Sequence, residues 1–306
     1  MRTTLSLFII IIMNELKEHQ PSMTLEEQIE NLKNKGLIIK DEDFAKSILE
    51  DISYFRLIKG FSIGLKIRNG KYNENICFET LLDLYKFNTE FLGLLFAKIQ
   101  TIEITFRTRV VNYFCNRYGV FGYLDSNNYG NKLQFDDFKE DIDKTIRKND
   151  RTPFIINFLN NYAIKQIPFY ALAEISSFGM ISKFYKNMLP EDKKRIANSY
   201  HISYKYFQSW IETLSYVRNI CAHYGRLYNF KLIIKPKLYI NGDFPDINNE
   251  RIFGTLICIK RILKDDEYWA NFVNDIGNLF EHYSCVNIVK MGFVENWKEI
   301  LLNQSI

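Results

Sequence analysis

The chain has 306 residues, 47% of them hydrophobic and 15% aromatic, enough for one large core or two modest domains. Only six prolines and 14 scattered glycines argue for long helices and against a turn-rich β architecture. A net charge of +4 and a pI near 8.6 permit an RNA partner, but fall short of a protein that coats nucleic acid by charge alone.

The amino terminus opens with an apolar run over residues 5–13, roughly half the ~20 residues that span a bilayer. No small-residue cleavage site follows it, so the run reads as the product of a start codon placed too early, with Met13 as initiator. No stable membrane association is expected, and residues 1–23 count as a tail. Thr24-Leu25-Glu26-Glu27 is a capping box whose helix ends at Gly36, and a second helix is expected over 41–53. Residues 54–72 hold Gly60, Gly64 and an Asn69-Gly70 turn, the pattern of an irregular link or a small β-hairpin. They form no phosphate loop: the Gly64 to Gly70-Lys71 spacing is one residue too long, and Tyr72 stands where Ser or Thr is needed.

From 79 to 118 Leu84, Phe91, Leu95, Ile99, Ile102, Phe106, Val110 and Phe114 recur at helical spacing without a proline. A Gly/Asn-rich loop over 119–132 comes next, then helices over 135–148, 153–160, 168–188, 191–200 and 204–224. Residues 231–246 read as extended, residues 249–263 and 265–283 as helices, and 286–306 as a tail. The reading is one all-α unit over 24–306, with a helical N-terminal extension (24–74) and a bundle (75–285).

Five separated cysteines without a Cys-x-x-Cys pair, and four histidines without ligand spacing, argue against zinc and for a reducing cytoplasm. No cofactor is expected. The chemistry concentrates in Arg218-Asn219-Ile220-Cys221-Ala222-His223. At about 100° per residue, Arg218, Asn219 and His223 fall within one arc of the helix. Trp210, Leu214, Val217, Cys221 and Tyr224 fall on the opposite, core-seeking side. A fixed cation, an amide and a group that trades protons near neutral pH suit cleavage of a phosphodiester without a metal. Arg195 and His201 fit a similar spacing, but they lie in a charged run without an apolar face and read as surface residues.

From 24 on, the chain resembles the Abi (abortive infection) family of phage-resistance proteins within the HEPN superfamily. The residues that carry the likeness include Tyr54-Phe55-Arg56-Leu57, Leu84-Tyr85-Lys86-Phe87-Asn88, Ile102-Glu103 with Arg107, and Pro168-Phe169-Tyr170 with Glu174 and Ser177-Phe178-Gly179. Arg218-Asn219 to His223, Arg226-Leu227-Tyr228-Asn229 and Met291-Gly292-Phe293 with Trp297 complete it. Phe55, Asn88, Tyr170 and Gly93 depart from the residues usual in the family, and none of them touches the motif.

The resemblance implies a HEPN-like helical bundle and an endoribonuclease effector or toxin of phage defence. Its Arg-x4-His motif would leave 2′,3′-cyclic phosphate ends. Catalytic roles fall to Arg218, Asn219 and His223; Arg226, Glu103, Arg107 and Glu174 are supporting or RNA-binding candidates. Glu103 and Glu174 also read as helix-packing ion partners, for example of Arg107, and Arg226 as a helix cap. A homodimer is expected, with RNA as substrate and a small-RNA antitoxin as a further partner the resemblance admits. The competing reading is a non-catalytic RNA-binding or scaffold protein that uses the same cleft.

Overall fold

The computed structural model describes residues 21–67, 69–239, 247–263 and 265–303. The apolar run at 5–13, the proposed initiator Met13 and residues 240–246 of the extended segment lie outside them. In chain order the helices are α1 (Leu25–Asn34), α2 (Glu42–Asp51), a π-helical turn (Phe55–Lys59) and α3 (Phe78–Tyr118). They continue as α4 (Lys132–Lys148), α5 (Pro153–Asn161), α6 (Phe169–Ile175), α7 (Phe178–Asn187), α8 (Pro190–Asn198) and α9 (Tyr204–Ala222). The last are α10 (Ile252–Leu263), α11 (Asp266–His282) and α12 (Trp297–Leu302). Among the described residues there is no strand, and the fold is all-α. No helix among them is long and apolar enough to cross a membrane.

The described residues fall into two compact units, divided after Leu82. In the first, the expected capping box forms: the Thr24 hydroxyl accepts from the Glu27 N–H at 3.3 Å, and the Thr24 N–H donates to the Glu27 carboxylate at 2.8 Å. Gly36 takes φ +81° and ends the turn after α1. Of the two readings of 54–72, an irregular link or a small β-hairpin, the structure follows the link: the hairpin reduces to one antiparallel bridge, Lys66 to Tyr72, around the Asn69-Gly70 reversal. Its first residues wind into the π-helical turn instead, where Leu57 and Ile58 are fully buried. Two adjacent buried residues cannot share one face of a strand, whereas a helical turn can bury both. Tyr72 is fixed by a 2.6 Å hydrogen bond with Ser62, and burial pushes its phenol up to about 12.

The second unit is organised by α3. Phe87, Phe91, Phe106 and Phe114 lie along it with no exposed surface. Edge-on ring packing carries the core outward: Phe114 meets Phe184 at 4.9 Å, and Phe106 meets Tyr185 at 5.4 Å and Phe207 at 5.8 Å. Through these rings α7 and α9 are set against α3. Helix α9 also packs on α7, α8 and α10.

The single helix expected over 168–188 is two helices, α6 and α7. Ser176 leaves helical geometry with ψ 139°, and the Ser177 hydroxyl accepts from the Met180 N–H at 3.2 Å, capping a new start. Serine favours caps because its short hydroxyl competes for backbone partners. The tail expected after 285 also adds structure: α12 packs on α11, and Met291, Phe293 and Trp297 are buried.

Asp192 on α8 is the chain's most enclosed carboxylate among the described residues, with no exposed surface. Tyr113 and Tyr118 each donate to it at 2.7 Å, and Arg117 lies 3.2 Å away. Both tyrosine phenols are raised, first by burial and then by the bond to Asp192. Removing the carboxylate takes the acceptor from two part-buried phenols at once. We predict that Asp192→Ala lowers stability by about 3 kcal/mol, read as a fall in the denaturant midpoint.

Candidate functional site

Helix α9 is anchored on its apolar side by Trp210, Leu214, Val217 and Cys221, all buried as their spacing predicted, and by Phe207. The indole N–H of Trp210 donates to the Lys237 carbonyl at 2.7 Å, and Ser209 accepts from the Lys237 N–H at 3.0 Å. With rotation about its axis thus fixed, α9 turns Arg218, Asn219 and His223 outward. Arg218 is part-exposed; Asn219 and His223 are exposed.

Arg218 does not stand alone. Its Nε donates to the Glu103 carboxylate on α3 at 3.2 Å, and its guanidinium lies 5.6 Å over the Phe96 ring. The other Glu103 oxygen accepts from Arg107 at 2.8 Å, and Arg107 also donates to the Ser176 carbonyl at 3.1 Å. Glu103 is 7% exposed. The two readings of Glu103 therefore merge: it is an ion partner of Arg107, one helical turn away, and it also holds the motif arginine. Two guanidinia share one carboxylate, so the cluster keeps one net positive charge. Ser176, where the 168–188 segment breaks, supplies the carbonyl that fixes Arg107. Glu174 is exposed on α6 and takes no part in these bonds.

The helix does not reach 224 as the sequence suggested. It ends at Ala222 with His223 as its C-cap. The Tyr224 N–H donates to the Cys221 carbonyl at 3.1 Å and the Gly225 N–H to the Ile220 carbonyl at 2.8 Å, the two bonds of a Schellman ending. Tyr224 takes φ +53° there and is 72% exposed, not buried on the core face. Such a conformation costs an L-residue roughly 1–2 kcal/mol. Arg226 lies beyond the end of the helix.

The chain after the helix is held by Asn88, a buried side chain on α3. Its amide donates to the Gly225 carbonyl at 3.0 Å, and its oxygen accepts from the N–H groups of Leu227 at 2.8 Å and Tyr228 at 3.1 Å. A carboxylate could accept both N–H bonds but could not donate to Gly225, so asparagine suits all three partners. Between these pinned peptides sits Arg226, half-buried. Burial, then the charge of Arg251, hold its guanidinium below its usual range. Arg251 itself donates to Asn229 at 3.4 Å. Sequence reasoning treats Asn88 as a departure and does not single out Arg251, Phe96 or Ser176, because no local motif marks residues whose partners lie from 22 to 137 positions away.

Cys221, inside the motif, is no nucleophile: burial pushes its thiol up to about 12. Among the described residues no group of His, Cys, Asp and Glu side chains converges as a metal cage. Arg195 and His201 are exposed around the end of α8, as expected of surface residues.

The family model described as Abi-like protein matches residues 47–229, which take in the Arg218–His223 motif, Glu103 and Asn88. No curated protein and no solved structure gives a significant match.

Two substitutions test this framework. Glu103→Ala leaves two arginines with no shared carboxylate and lowers stability by about 3 kcal/mol, measured by denaturant unfolding. Asn88→Ala removes three hydrogen bonds at a buried position and costs about 2–4 kcal/mol. It also speeds amide exchange at Leu227 and Tyr228, whereas exchange in α11 stays slow.

Proposed function

The chain belongs to the Abi-like protein family, and from that premise and the geometry of α9 we propose that it is a metal-independent endoribonuclease effector of phage defence by abortive infection. The observation that carries the proposal is the pairing of a clamped Arg218 with an exposed His223 on one helix end. A guanidinium fixed by Glu103 is already oriented when phosphate arrives, which lowers the ordering cost of binding the transition state. Its terminal Nη groups make no bond among the described residues.

In this reading His223 removes the proton from a ribose 2′-hydroxyl or protonates the leaving 5′-oxygen. The 2′-oxygen attacks phosphorus in line, the bond to the 5′-oxygen breaks, and the products are a 2′,3′-cyclic phosphate and a 5′-hydroxyl. Arg218 stabilises charge that builds on the non-bridging oxygens. Asn219 orients phosphate or His223 by hydrogen bonding. Arg226, with Arg251 beside it, offers cationic charge for a neighbouring phosphate.

One chain supplies one His223, while in-line cleavage wants a base and an acid on opposite sides of phosphorus. A twofold homodimer with its motif helices facing each other supplies both. The half-buried arginines would serve a non-catalytic RNA binder equally well, and chemistry separates the two readings.

His223→Ala should lower the cleavage rate of single-stranded RNA by roughly 10²–10⁴-fold while RNA affinity stays near the wild-type value. Sequencing of RNA ends after brief expression should show cyclic phosphates that disappear in the variant. Wild-type protein that binds RNA yet never cuts it would leave the binding reading standing and remove the nuclease. For assembly, mixed Arg218→Ala and His223→Ala chains should regain weak activity through shared sites. A monomer that cleaves at full rate at every protein concentration would remove the composite site.

A further inference from the structure

We propose that Lys35, Lys59 and Lys66, gathered around Tyr72 in the first unit, form a binding site for a small anion with adjacent phosphates, the di- or triphosphate of a free nucleotide. The inference stands apart from the ribonuclease reading and uses none of the motif residues, so failure of either leaves the other in place.

The three lysines come from three separate pieces of chain. Lys35 is the C-cap of α1, Lys59 closes the π-helical turn, and Lys66 lies in the bridge opposite Tyr72. Tyr72 ties them together. Its backbone N–H donates to the Lys35 carbonyl at 2.8 Å, and the Lys66 ammonium lies 4.5 Å from the centre of its ring. Its hydroxyl meets that of Ser62 at 2.6 Å, and the Ser62 N–H donates at 3.1 Å to the carbonyl of Ile58, the neighbour of Lys59. Tyr72 is buried, so the point on which the lysines converge is fixed by the unit's own core.

No carboxylate answers this charge. Other lysines of the unit are paired, Lys33 with Glu42 and Lys46 with Glu26, whereas Lys35, Lys59 and Lys66 join no ion pair among the described residues. Lys35 and Lys66 are half-buried, and Lys59 is exposed. Burial, then the charges of Lys35 and Lys59, hold Lys66 below its usual range; burial, then the charge of Lys59, does the same to Lys35. Like charges that depress one another work against the folded state when nothing lies between them. An anion in their midst turns that repulsion into attraction.

Lysine binds phosphate as a point charge, without the planar fork of arginine. A phosphodiester carries a single negative charge, whereas a terminal phosphate group carries about −1.5 to −2. Adjacent phosphates concentrate such charge within one patch. A compact cluster of ammonium groups around one ring suits them better than it suits an extended backbone, which spreads its charge along a strand. Because charge carries the recognition, affinity should rise with the number of phosphates and vary little with the nucleobase.

The test is titration calorimetry of the full-length protein at fixed ionic strength, without divalent cations. Pyrophosphate and tripolyphosphate are the probes, and orthophosphate and sulfate the comparison. Both probes should bind saturably, roughly 10-fold or more tighter than orthophosphate or sulfate. Lys59→Gln and Lys66→Gln should each weaken binding roughly 10-fold, the loss of one charge-assisted contact. Lys59→Arg and Lys66→Arg should retain most of it. Lys46→Gln, which removes a paired lysine of the same unit, should leave it unchanged.

Absence of saturable binding overturns the proposal, as does equal affinity for pyrophosphate and sulfate, which makes the lysines attractors of any counter-ion. Lys59 is exposed, so Lys59→Gln is the substitution least able to disturb folding, and wild-type affinity in that variant is enough to sink the site. A 5′-hydroxyl single-stranded RNA that binds through the same lysines more tightly than tripolyphosphate makes the patch a nucleic-acid surface. Phosphatidylserine vesicles that do so make it a membrane surface. Either result removes the small-anion site.

Discussion

The arrangement of the second unit's site turns on one buried carboxylate. Glu103 faces Arg107 with one oxygen and Arg218 with the other. Burying a charge is costly unless it is paired, and at 7% exposure Glu103 is paired on both oxygens. The acid is doubly compensated, and the more exposed arginine retains positive character. Arg107 is fixed in turn by the Ser176 carbonyl, so the break between α6 and α7 reaches Arg218 through three successive bonds.

A second set of bonds governs the segment after α9. Asn88 ties three of its peptides to α3, on the same helix that presents Glu103. Residues 88 and 103 are about four turns apart. One continuous helix, α3, therefore sets both the arginine and the loop that carries Arg226. A kink between the two positions would move one relative to the other. The aromatic packing of Phe87, Phe91, Phe106 and Phe114 keeps that helix in place.

The amount legible from sequence tracks the range of the interaction concerned. Helix-capping signals act over three or four residues, and Thr24, Asp41 and Gly36 mark their boundaries as written. Apolar periodicity along α3 and α9 predicts which side is buried, and Trp210, Leu214 and Val217 obey it. Tyr224 does not, because periodicity assumes that the helix continues. Gly225 carries the stop signal, but at a position usually associated with the residue after the left-handed one. The cap at Ser176 and Ser177 is hidden, since a strong apolar pattern from Phe169 to Phe184 runs across it. The link from Asn88 to Gly225 spans 137 residues and has no sequence signature at either end.

The motif also contains a cysteine whose surroundings decide what the cell's redox chemistry can do to it. Cys221 lies between the arginine and the histidine in sequence, yet its thiol is buried and keeps its proton far above neutral pH. Peroxide, disulfides and alkylating electrophiles attack the thiolate, which is almost absent here. A buried, protonated thiol is a poor target for such reagents, so the motif carries a cysteine without carrying a redox-sensitive one.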